Sequence, residues 1–137
     1  GRHNSTSANL FEVDGENGQV ISANDVTAFG SPSDIRLKEN IEVIADPIEK
    51  VLKLRGVTFN YKDTGKKSTG LIAQDLEEVL PEVVYESHDI NNKEDKFKAV
   101  RYGNTVGLLV EAIKEQQTII NRLEERIKKL EGEDNGD

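Results

Sequence analysis

The stretch TVGLLVEAIKEQQTIINRLEERIKKLE, residues 105–131, decides how this chain folds. It holds no proline, and its only interior glycine is Gly107, near the start. Apolar residues return every three or four positions, at Val106, Leu109, Ile113, Ile120, Leu123, Ile127 and Leu130. With Val106, Ile113, Ile120 and Ile127 at a, the d positions are Leu109, Gln116, Leu123 and Leu130. Nearly four heptads predict a coiled coil. At ~1.5 Å rise per residue the helix runs roughly 40 Å. So small a domain cannot cover it, and further copies of the same chain must do so. Glu124 with Lys128, and Glu125 with Lys129, are helix-supporting pairs in the better orientation. Isoleucine at a with leucine at d leans towards two strands, whereas Val110, Ala112 and Ile119 widen the stripe at e and g and suit three or more. Gln116 sets a polar residue in the seam, which fixes register at some cost in stability.

The remainder is of another kind. At 137 residues the chain is at most one modest domain with appendages. Apolar residues are 35% and charged residues 32%, which leaves one copy a thin core and favours self-association. The formal net charge is -8, and the basic residues lie among acids rather than in clusters. A phosphate backbone finds no basic footprint, so no nucleic-acid partner is expected. Cysteine is absent, so there is no disulfide and no thiol chemistry. No apolar run approaches a membrane span and no signal peptide is visible, so no membrane partner is expected. The abrupt start at Gly1-Arg2-His3-Asn4-Ser5 suggests a piece cut from a longer polypeptide.

Residues 1–32 are polar and small, and read as the end of an upstream segment with a linker. Within them, Leu10 to Asp14 and Gln19 to Ser22 predict two short strands joined by the turn Gly15-Glu16-Asn17-Gly18. Residues 33–103 predict an α+β body. A strand is expected near 39–44. Asp46-Pro47-Ile48-Glu49 then starts a helix, with Asp46 as N-cap and Pro47 at the first helical position. Ile48, Val51, Leu52 and Leu54 form its buried face, and Gly56 stops it. Val57 to Lys62 alternates as a strand, Asp63 to Lys67 turns, and Thr69 to Ile72 returns. Gln74 to Leu80 is a short helix burying Leu76, Val79 and Leu80, closed by Pro81. Val83 to Tyr85 and Phe97 to Val100 read as strands, separated by a long, polar, mobile loop at 86–96. Residues 104–131 are the coiled-coil helix and 132–137 a polar tail.

Ser33-Asp34-Ile35-Arg36-Leu37-Lys38-Glu39-Asn40-Ile41 carries the chemistry. It follows the turn-like Gly30-Ser31-Pro32 and sets a hydroxyl and an amine five residues apart. A serine hydroxyl is a weak nucleophile until a base takes its proton. A lysine is that base only when neutral, which burial or nearby positive charge promotes. Arg36 is a candidate for that charge, while Asp34 and Glu39 would act against it. Ser31 is a second hydroxyl beside the same turn.

Three later segments accompany this one in order: Ile48 to Arg55 running into Val57-Thr58-Phe59-Asn60-Tyr61; Gly70-Leu71-Ile72-Ala73-Gln74-Asp75-Leu76-Glu77-Glu78-Val79-Leu80-Pro81-Glu82; and Lys98-Ala99-Val100-Arg101-Tyr102 leading to Leu108 to Glu115. Together they resemble the C-terminal intramolecular chaperone of phage endosialidases, tail fibres and neck appendages, a domain also found in the myelin regulatory factor family. The resemblance covers residues 25–130. It implies a homotrimer with Leu109, Ile113, Gln116, Ile120, Leu123, Ile127 and Leu130 at the interface. It implies scission at the Pro32–Ser33 bond by a Ser33–Lys38 dyad, without cofactor or metal. It implies a folding client in the upstream fibre or spike of the same polypeptide. The setting it implies is a virion tail precursor folded in the bacterial host cytoplasm, with the chaperone released on maturation.

A structural rival is a permanent trimerisation foot on a fibre, without peptidase activity. A third reading, the same domain freeing a membrane-tethered transcription factor, predicts a long apolar span after the domain, where this chain has charged residues. Other candidates fail. Gly65-Lys66-Lys67-Ser68-Thr69 has a faint look of a phosphate loop, but Asn60 stands where that loop requires glycine. Asp89 to Asp95 has Lys93 at a calcium-ligand position and lacks the turn glycine. His3 and His88 have no partner at metal-ligand spacing.

Overall fold

The computed structural model describes residues 11–13, 15, 20–22, 30–90 and 92–134. In chain order its elements are β1 (Phe11–Val13), β2 (Val20–Ser22), α1 (Pro47–Leu52), β3 (Gly56–Asn60), β4 (Lys67–Leu71), α2 (Ala73–Val79), β5 (Val84–Asp89), β6 (Asn92–Val100) and α3 (Val106–Asp134). Single 3-10 turns occupy Ile35–Leu37, Pro81–Val83 and Tyr102–Thr105. The described strands pair as neighbours in sequence: β1 with β2, β3 with β4, β5 with β6. This is the α+β organisation with a long terminal helix that the sequence predicts. Two compact units divide it: Gly1–Ile41 with Glu86–Ala99, and Glu42–Tyr85 with Val100–Asp137.

In the second unit α1 packs against α3, and the turns at Pro81–Val83 and Tyr102–Thr105 link α2 to α3. Leu76 and Leu108 are fully buried, with Val79, Val83, Ala112 and Pro47 beside them in the burial order. Pro47 opens α1 because its fixed φ suits the first helical position and no donor is wasted there. The expected cap differs. Asp46 adopts a left-handed φ of 50° and its side chain makes no cap bond. Glu115 of α3 caps instead, its Oε2 accepting from the Ile48 N–H at 3.1 Å. A left-handed Asp46 turns its carboxylate away from the helix end, so a distant acid fills the role. Leu52, expected inside, is 80% exposed, because α1 ends there after barely two turns.

The strand expected near 39–44 does not form. Asn40 takes a left-handed φ of 51°, and Ile41 and Val43 are exposed and pair with no strand among the described residues.

β3 and β4 form the predicted hairpin, with Val57 opposite Gly70 and Phe59 opposite Ser68. Gly65 supplies the positive φ of the turn, 67°, and the Asn60 side-chain amide donates to the Gly65 carbonyl at 2.7 Å. Arg55 reaches α2 as a fork, Nε to Asp75 Oδ2 at 2.8 Å and Nη2 to Oδ1 at 3.0 Å. That guanidinium holds the Asp75 carboxyl below the usual carboxylate range.

Tyr102 lies over Gly70. Its hydroxyl accepts from the Leu71 N–H at 2.9 Å and donates to the Leu71 carbonyl at 3.4 Å. A methyl on residue 70 would fall on that hydroxyl. Gly70→Ala is therefore expected to push Tyr102 aside and cost about 1–3 kcal/mol at fixed protein concentration, read by denaturant unfolding. In a Tyr102→Phe background the same change should cost clearly less, since the clashing oxygen is gone. Equal costs in both backgrounds would refute the contact.

The loop expected at 86–96 is a hairpin. β5 and β6 run through it and meet across a two-residue connection, which forces them antiparallel. Asp89 Oδ1 accepts from the Asn92 N–H at 3.1 Å, and Lys96 pairs with Glu86 at 3.1 Å. An Asp side chain that mimics a backbone turn closes it. At the base, Arg101 lies 4.4 Å above the Tyr85 ring.

Candidate active site

The chain around Ser33 is short-range architecture. Asp34, in extended backbone, begins a 3-10 turn: its Oδ1 accepts from the Arg36 N–H at 2.8 Å. Backbone bonds from Leu37 N to Asp34 O and from Lys38 N to Ile35 O, each 3.1 Å, close the turn. One such turn carries Lys38 back towards the residue before the turn. Its Nζ donates to Ser33 Oγ at 2.8 Å. The hydroxyl and amine that the family resemblance singles out therefore touch.

Arg36 does not stand free beside the lysine. Its guanidinium forks onto Asp34, Nε to Oδ1 at 3.0 Å and Nη2 to Oδ2 at 2.8 Å. Each partner stabilises the other's charged form: the Asp34 carboxyl is held below its usual range and the Arg36 guanidinium above its own. Arg36, the candidate for a positive charge beside Lys38, is thus paired with the Asp34 carboxylate. The sequence signal that could have indicated this is an acid at a turn's cap position with a base two residues on.

Ser33 and Lys38 are both exposed in the single chain, as is Pro32. Ile35 and Leu37, the apolar residues of the same turn, are 72% and 70% exposed. A serine and a lysine in contact can pass a proton, provided the amine is desolvated enough to lose its own. Water reaches the pair freely on one copy.

On α3, Leu108 and Ala112 are buried against the domain. The seam residues are not: Leu109, Ile113, Ile120, Leu123, Ile127 and Leu130 are 47–65% exposed, and Gln116 is exposed beside them. Among the described residues no group of three His, Asp or Glu is placed to hold a metal ion, and no helix is long and apolar enough to cross a membrane.

A small α+β body, a touching serine–lysine pair at its N-terminal edge and a 29-residue helix with an uncovered apolar seam define a helix-tailed module rather than a free-standing globular domain. Residues 33–85, from that serine to β5, match the family model described as "Chaperone of endosialidase", a peptidase family by name. The chain carries a domain of the chaperone-of-endosialidase family. Long tail fiber protein Gp37 of Enterobacteria phage K3 is 34% identical over 82% of this chain and 9% of its own length. Its namesake in Salmonella phage S16 is 29% identical over 95% of this chain and 17% of its own length. Myelin regulatory factor homolog 1 of Caenorhabditis elegans is 39% identical over 54% of this chain and 10% of its own length. The chain thus spans less than a fifth of the length of each of these relatives.

Proposed function

We propose that this chain is the C-terminal intramolecular chaperone of a phage tail fibre, one that trimerises, templates the fibre upstream of it and then cuts itself free before Ser33. The observation that carries the reading is the 2.8 Å contact between Lys38 Nζ and Ser33 Oγ at the first residue of the matched family domain. Similarity to long tail fiber proteins supports a fibre as the client.

In this reading residues 1–32 end the client and form the linker, 33–103 are the chaperone body, 104–131 the coiled coil and 132–137 a tail. Three α3 helices clasp through Leu109, Ile113, Gln116, Ile120, Leu123, Ile127 and Leu130, which removes their exposed surface from water. Trimeric β-fibres fold slowly through non-local contacts with open strand edges. Tethering three chains turns their encounter into an intramolecular one at high effective concentration.

Assembly also activates the site. Copies packed around the turn exclude water from Lys38, so its amine can shed a proton and accept the one on Ser33 Oγ. The oxygen attacks the Pro32 carbonyl carbon, within its own chain or a neighbour's. The C–N bond to the Ser33 amine breaks and that nitrogen leaves protonated. Water then hydrolyses the resulting ester, giving a Pro32 carboxylate and restoring the hydroxyl. The fibre, parted from its template, is kinetically trapped in its folded state. The setting that follows is a tail precursor folded in the bacterial cytoplasm, its chaperone discarded as the virion matures.

The exposure of both dyad residues in one copy is what favours a second reading, a permanent trimerisation foot without peptidase activity. Mass spectrometry and sedimentation of a chain carrying its upstream fibre separate the two. A fragment beginning at Ser33, accumulating only as trimer forms, supports the chaperone. Full-length chains at complete trimer occupancy support the foot.

A further inference from the structure

In β1 the usual order of burial is inverted. Phe11 and Val13 are 61% and 62% exposed, while the carboxylate between them, Glu12, has a side chain only 16% exposed. A charge is costly to cover unless it is paired. The partners come from the β5–β6 hairpin. Lys93 Nζ of β6 forms an ion pair with Glu12 Oε1, and His88 Nε2 of β5 stands 3.7 Å from Glu12 Oε2. His88 is itself only 15% exposed. Glu12 Oε2 and His88 Nε2 are buried without a hydrogen-bond partner, so each is the other's nearest remedy. Across the β1–β2 ladder Glu12 faces Ile21, which adds no charge. Two strands of three residues are too small to hold themselves together, so this carboxylate orients them.

The three residues lie on opposite sides of the Pro32–Ser33 bond: Glu12 before it, His88 and Lys93 after. We propose that Glu12, Lys93 and His88 form an ionic clasp that keeps the upstream segment bound to the β5–β6 hairpin after the bond is cut, and that salt or acid opens it. The proposal rests on the scission reading above for its role, but not for its existence. A clasp of charges differs from an apolar contact in being switchable. Salt screens it. Lys93 holds the Glu12 carboxyl below the usual range against the opposing effect of burial, with His88 adding to the lowering. The hold therefore persists at and above the ordinary glutamate range, and fails as pH falls through the lowered value.

The test makes the cut independently of Ser33. A site-specific protease sequence is inserted between Gly30 and Ser31 in a Ser33→Ala chain tagged at its N-terminus. After protease cutting, retention of the tagged fragment is followed by size exclusion at low and high salt. The fragment is expected to co-elute with residues 31–137 at low salt and to leave at high salt. Glu12→Gln should release it about five- to tenfold faster, the scale of one charge-assisted bond at a partly exposed site. Lys93→Glu should release it too, and Glu12→Lys with Lys93→Glu should recover part of the retention. A fragment that leaves the unaltered chain at once, or that Glu12→Gln retains equally well, overturns the clasp. A denaturing gel of the chain with Ser33 intact reports self-scission separately, so either idea can fall without the other.

Discussion

Ser33→Ala is expected to leave the Pro32–Ser33 bond whole, with a rate loss of at least about a thousandfold, while sedimentation still reports trimer. The argument is local and chemical. Lys38 Nζ reaches one hydroxyl, Ser33 Oγ, at 2.8 Å. Removing the oxygen removes the proposed nucleophile but leaves the Asp34–Arg36 fork and the turn's backbone bonds in place. The fold should therefore survive. Lys38→Met should be as inactive, having no base. Lys38→Arg separates charge from basicity: it keeps a cation near Ser33, but a guanidinium does not shed its proton in proteins. It should be inactive as well, and normal cutting by it would refute the amine's role as base. Persistent cutting at the same bond in Ser33→Ala, located by mass, would remove Ser33 from the mechanism.

The second large effect is expected at Ile120. It sits at an a position in the half of α3 that the domain does not cover, and is 48% exposed in one copy. In the proposed trimer Ile120→Asp would set three carboxylates in one layer of the seam, each desolvated and each repelling the others. Trimer should give way to monomer at micromolar concentration, and cutting before Ser33 should stop with it. Glu124→Gln, outside the a and d seam, is the control and should leave both unchanged. A stable trimer in Ile120→Asp would place the interface elsewhere. Full cutting by its monomer would show that assembly is not what activates Lys38.

Much of the fold is legible without coordinates where the information is short-range. The heptads of α3 are periodic in chemistry as well as in space, and its 29 residues fall within a few positions of the predicted helix. Pro47 marks the start of α1, and Pro81 the end of α2. The β5–β6 hairpin was not legible, because β6 carries Lys93, Glu94, Asp95, Lys96 and Lys98 on faces that are all exposed. Alternation signals a strand only when one face is apolar. At 39–44 the case is reversed: Ile41 and Val43 alternate like a strand but are exposed and join no sheet among the described residues.

The candidate site divides in the same way. Ser33 and Lys38 could be named from the family resemblance of the segments around them, and one 3-10 turn over five residues brings them together. Arg36 is less legible: its guanidinium stays charged, but its fork onto the Asp34 carboxylate depends on the 3-10 turn that brings the two together. Glu12 was passed over, because a lone acid in a polar segment gives no sign of being covered.

What the amino-acid order determined by itself is whatever closes within a turn or repeats along a helix: the α3 seam, the α1 start and the serine–lysine contact. Those rest on backbone sterics and side-chain period, which act over a few residues. The tertiary structure alone decided that Glu115 caps α1 from 67 residues away, that Tyr102 occupies the space over Gly70, and that Glu12 lies buried against Lys93. Each joins groups far apart in the chain. Such a contact depends on how the intervening elements close the loop between its ends, a cost and a geometry that no local stretch encodes.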